Sequence, residues 1–82
     1  MINPDLLEIL RCPDNRQRLA LADPSLVASL NERIAKGEIS NRGGNRVSQQ
    51  LDAGLVREDG AFLYPVRRNI PIMLIDEAIG LR

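Results

Sequence analysis

The residues of this 82-residue chain that could do chemistry are few: a single cysteine, Cys12, and no histidine. A hydrolase-type nucleophile needs a base beside it, most often an imidazole, and none is present. Nor can one such chain assemble a tetrahedral Cys/His zinc site, so no metal and no other cofactor is expected. Cys12 cannot form an internal disulfide. It reads as a small buried side chain, with a functional thiol beside Arg11, or one ligand of a metal shared between two chains, as the alternatives. The acid pairs Asp14 with Glu58 and Asp76 with Glu77 have no spacing that fixes a proton-transfer geometry, and they read as turn, hairpin and helix-start residues. No phosphate-loop or dinucleotide-loop glycine signature occurs. An enzyme is not expected.

Eleven basic and eleven acidic residues cancel, which removes the broad positive field of a non-specific nucleic-acid binder. All the cations but Lys36 are arginines, the side chain suited to bidentate pairing with carboxylate or phosphate. Arg42 and Arg46 in the SNRGGNR segment (40–46), with Arg67 and Arg68, could serve an RNA backbone. The only aromatics, Phe62 and Tyr64, lie outside that segment, so a plain polar linker is the competing reading. No apolar run has the length of a membrane span, and the N-terminus lacks the basic start of a secretory signal, so a soluble cytoplasmic protein is expected.

One domain accommodates this length, and a chain so short buries only about 60 to 65% of its unfolded surface. Asn3, Pro4 and Asp5 open a first helix bearing Leu6, Leu7 and Leu10, and Pro13 ends it. The turn at 14–17 leads into a short strand over 18–21. Asp23 and Pro24 start a second helix, which keeps Leu26, Leu30 and Ile34 on one face until Lys36 and Gly37 close it. Val47 and Leu51 predict a further short helix over 47–53, stopped by Gly54. Glu58, Asp59 and Gly60 form a D-G turn between two apolar runs, predicting a hairpin whose second strand Pro65 limits. A third strand is expected over 70–75, and a helical turn capped by Asp76 and holding Ala78, Ile79 and Leu81.

Two segments, LLEILRCP (6–13) and LYPVRRNIPIMLIDEA (63–78), together resemble the small zinc-ribbon activator subunit of tRNA, rRNA and release-factor methyltransferases and its short, often zinc-free bacterial relatives. The matching positions are Cys12 and Pro13, Tyr64 and Pro65, Ile70 to Leu74, and the D-E-A run at 76–78. In that family the motifs frame two cysteine pairs; here Asn15, Arg57 and Gly60 stand where three thiolates belong. Asn69 occupies the usual glycine position of the turn, which it can do because Asn tolerates positive φ. The resemblance implies an α+β fold: a degenerate zinc-ribbon-like small antiparallel sheet with ribbon-like halves at 1–22 and 54–82 and an inserted helical segment at 23–53, all within a single domain at 1–82. It also implies that the sheet binds a class I methyltransferase subunit by strand addition, through Tyr64, Pro65, Ile70, Pro71, Ile72, Met73 and Leu74; the apolar alternation of the hairpin strand, with Phe62 on the same face as Tyr64, adds Phe62 to the expected partner surface.

A structural zinc contributes on the order of 10 to 16 kcal/mol in model peptides. Burying Leu26, Val27, Leu30 and Ile34 contributes roughly 6 to 12 kcal/mol before entropy. The inserted helix is therefore expected to pack on the hairpin sheet and take over from the metal. Residues 70–75 show almost no polar alternation, so that strand should be covered on both faces. Either the terminal turn and first helix cover it, or another protein does, or a second copy in a homodimer.

Overall fold

The computed structural model describes residues 10–13 and 16–81, so most of the expected first helix lies outside the described residues; of its last residues, Leu10 to Cys12 are not helical, and Arg11 forms an antiparallel bridge with Arg18. Among these residues, β1 (Leu19–Leu21), β2 (Ala53–Arg57), β3 (Phe62–Arg67), β4 (Ile70–Pro71) and β5 (Ile79–Gly80) form one antiparallel sheet. Its order is β1-β2-β3-β4, with β5 pairing the other end of the β3 edge that β4 occupies. One helix, α1 (Pro24–Ala35), separates β1 from β2, so the chain is of the α+β class.

Local signals account for α1. Pro24 sits at the start, where its missing N–H costs nothing. Gly37, at φ 73°, ends the helix in a Schellman arrangement: Glu38 donates its N–H to the Arg33 carbonyl and Gly37 to that of Ile34. Val27, Leu30 and Ile34, three and four apart, bury one stripe against Leu63 and Ile79 of the sheet, together with Ile39, Val47 and Leu51.

The opposite face carries a second core. Leu55, Tyr64 and Val66 project there with Leu19, Cys12 and Ala78, and Leu10, Phe62 and Met73 pack around them. Alternation along β3 produces this division, with Leu63 toward α1 and Phe62, Tyr64 and Val66 away from it. At Gly54 a Cβ would lie 2.6 Å from Leu63 Cδ1, so β2 requires glycine for the Leu63 side chain to fit.

Three expected elements take other forms. The 47–53 helix is not formed. Val47 and Leu51 are buried from an irregular segment, because the Asn31 side chain binds both main-chain groups of Leu51, accepting from its N–H at 2.7 Å and donating to its carbonyl at 2.9 Å. The third strand is only Ile70–Pro71, and a 3₁₀ turn at Ile75–Glu77 follows. Asp76 lies inside that turn rather than capping it, and Ile79, expected in a helical turn, pairs with Leu63 as part of β5. Segment 40–46 is an ordered loop docked on the C-terminal strand: Arg42 donates its N–H to the Ala78 carbonyl and Gly43 to that of Asp76.

Candidate functional site

Two turns meet beside the second core. In the first, Cys12 donates its N–H to the Gln17 carbonyl and accepts from Arg16, whose φ is 62°. The second is the D-G hairpin turn, where Gly60 donates to the Arg57 carbonyl at 2.8 Å. The turns are tied together: Glu58 donates its N–H to the Arg18 carbonyl, and Asp59 donates its own to Gln17 Oε1. Side chains fill the space between them. Cys12 Sγ, 1% exposed, lies 3.0 Å from the Tyr64 hydroxyl, and Arg57 grips Asp59 with two hydrogen bonds of 2.8 and 2.7 Å. Hydrogen bonding to Asp59 raises the Arg57 guanidinium above its ordinary range against the opposing effect of burial, and a hydrogen bond to Cys12 adds to the rise. Phe62 adds a flat π surface, with the Arg42 and Arg57 guanidinium carbons 4.5 and 4.8 Å from its ring centroid.

These residues do not suit a zinc ion. The guanidinium beside the Cys12 sulfur is already a cation, and among the described residues no three His, Cys, Asp or Glu side chains converge. The cluster is structural in form: an ion pair, a phenol and a thiol that satisfy one another within the chain. Reading the sequence by residue type missed this cluster, although Cys12 and Arg57, two positions the resemblance aligns with ligands, are spatial neighbours.

The residues expected to bind a partner divide into two groups. Tyr64 and Pro65 are enclosed, Phe62 is half-buried beneath two guanidiniums, and Met73 packs into the second core. Tyr64 and Pro65 are therefore interior, and Phe62 and Met73 are half-buried at the margin of the second core, because the chain itself covers the second face of β3. Ile70 and Leu74 are 60% and 62% exposed, and Pro71 and Ile72 are half-buried between them. Ile75, at 38%, and Leu21, at 48%, are exposed apolar residues that the sequence reading did not select.

Strand addition directly onto β3 is closed off, since β2 occupies one of its edges and β4 and β5 the other. Ile72 donates its N–H to the Pro65 carbonyl at 2.8 Å, which places the main-chain groups of Pro71 and Met73 on the open side. Ile72 and Leu74 line a groove of about 620 Å³ with Arg67, Arg68, Asp52 and Glu77. Arg46 and Arg67 line a smaller adjoining groove of about 210 Å³, so three of the four arginines proposed for RNA share one side of the molecule while Arg42 packs on Phe62. The hairpin tip carrying Arg68 is left-handed at both central residues, Arg68 (φ 53°) and Asn69 (φ 63°), the backbone of a type I′ turn. Asp52 accepts the Arg68 N–H and fixes the tip.

The fold and this cluster define a small α+β domain with a two-faced antiparallel sheet, an interior polar clip and an apolar row that begins in the edge strand β4. No protein-family model matches the chain, and no curated protein matches it. The solution NMR structure of XF2673 from Xylella fastidiosa is similar over 96% of this chain and 81% of its own, with 30% sequence identity and a TM-score of 0.75. The chain belongs to the same family as XF2673. No helix among the described residues is long and apolar enough to cross a membrane.

Proposed function

We propose that this chain is a non-enzymatic adaptor that binds another protein through the row Ile70, Ile72 and Leu74, built on a zinc-ribbon-like hairpin that holds no metal. The observation that carries the reading is the exposure of Ile70 and Leu74 beside an open strand edge in a chain that encloses its other β3 and β4 neighbours far better. Large apolar side chains grouped at a polar rim mark interaction surfaces. The resemblance to methyltransferase activator subunits supplies the candidate partner, a class I methyltransferase catalytic subunit. The adjacency of Cys12 and Arg57 across two facing turns supports that resemblance.

An RNA-associated role through Arg42, Arg46, Arg67 and Arg68 fits less well. Arg42 packs on Phe62, Tyr64 is enclosed, and the groove mixes both charge signs without an exposed ring for base stacking. The test is affinity capture from the native cell with the wild-type chain and with Ile72→Asp, at low and high salt. A protein recovered by the wild type at both salts and lost with the substitution supports the adaptor. Recovery unchanged by the substitution overturns it, and RNA recovered only at low salt favours the alternative.

A further inference from the structure

The segment from the hairpin tip to the 3₁₀ turn has an ordered charge pattern. Arg67 and Arg68 stand at one end, Ile70, Ile72 and Leu74 occupy the middle, and Asp76 and Glu77 stand at the other end. Folded about Ile72, the pattern is complementary to itself: Arg68 at the hairpin tip meets Asp76, and Ile70 meets Leu74, while Arg67 stays on β3 opposite Ile70 of its own chain. The two apolar residues thus matched have nearly equal exposure, 60% and 62%. Arg68 and Asp76 are both exposed, so each is available to a second molecule.

We propose that the free protein covers this row with a second copy of itself, the two segments lying antiparallel about a two-fold axis at Ile72. The inference rests on the reading that the row is a docking surface, and it names what occupies that surface before any other partner does. Two-fold association requires one patch to complement itself, which a basic–apolar–acidic sequence satisfies only in the antiparallel direction. Zero net charge removes long-range repulsion between copies.

The main chain fits the same register. Pro71 and Met73 face the open side, and antiparallel pairing about Ile72 sets Pro71 opposite Met73 of the second copy. Each Met73 N–H then meets a Pro71 carbonyl, and no donor is required of proline. A shift of the axis by one residue in either direction would destroy both the charge matches and this hydrogen-bond pairing. The hairpin tip of one copy comes over the 3₁₀ turn of the other, joining Arg68 to Asp76 at both ends. So small a contact lies at the weak end of the interface range, so dissociation in the micromolar range is expected.

The test is sedimentation equilibrium of wild type, Arg68→Glu, Asp76→Arg and their equimolar mixture, with circular dichroism to verify folding. The wild type should be dimeric at high micromolar concentration, and each single variant should associate at least roughly tenfold more weakly, because like charges then face each other at both ends. The mixture should recover wild-type association, since each mixed dimer restores two opposite-charge contacts. Ile72→Cys should crosslink to itself under mild oxidation, because residues facing each other across the axis have Cβ atoms close enough to bridge. A wild type that stays monomeric, a mixture that does not recover, or a dimer in which the cysteine variant fails to crosslink overturns the inference. A monomer that still captures a protein through Ile72 would remove the self-association alone and leave the adaptor reading intact.

Discussion

The Cys12 sulfur and the Tyr64 hydroxyl lie 3.0 Å apart across 52 positions of sequence, both buried. This contact joins the N-terminal turn to the central strand. Tyr64→Phe keeps the ring and removes the hydroxyl, leaving the thiol without that partner. The expected cost is about 1 kcal/mol, a fall of about 4 to 8 °C in melting temperature for a domain of this size. Calorimetry checks it, and an unchanged midpoint would show that the hydroxyl contributes nothing to stability.

Arg57→Lys should lower stability although it conserves charge. The two Asp59 oxygens are matched by Nε and Nη2 of one planar guanidinium, a fork that an ammonium cannot reproduce. A cation whose pKa is raised on folding contributes stability that is lost only as pH climbs through the folded value. For Arg57 that value lies above the already high arginine range, so the ion pair should survive alkaline titration. Denaturant midpoints for both proteins at neutral and alkaline pH test the two statements together.

Leu30→Ala should be among the most damaging single changes. Leu30 is 4% exposed at the centre of the α1 stripe, and a cavity there is expected to cost about 2 to 5 kcal/mol, a large share of the stability of a small domain. Urea denaturation measures the loss. A loss below about 1 kcal/mol would show that α1 does not substitute for a structural metal.

Arg68→Gly should separate stability from association. A left-handed backbone costs a β-carbon-bearing residue about 1 to 2 kcal/mol, part of which glycine returns as unfolded-state entropy, so a net gain of about 0.5 to 1 kcal/mol is expected. The same change removes the cation that meets Asp76 of a second copy. A higher melting temperature measured on dilute monomer, together with weaker self-association, is the expected pair of results.

Features set by neighbouring residues are legible in the chain before it folds. Pro24 and Gly37 bound α1, the 26–34 spacing gives it one apolar stripe, Asp59–Gly60 turns the hairpin, and Asn69 accepts a left-handed backbone. Whatever depended on closing long loops follows from packing between distant segments. Val47 and Leu51 have helical spacing, yet Asn31 holds Leu51 through main-chain bonds that a helix there would not leave open. The apolar run after Asn69 gives no sign that only two of its residues join the sheet while Met73 turns inward and Leu74 outward. Tyr64 and Pro65 are equally apolar by sequence, and their enclosure depends on Cys12, Ala78 and the strands on either side of β3. Local backbone preference acts over a few residues and is written in the chain, whereas coverage of a sheet face is settled only when distant segments compete for the same apolar surface.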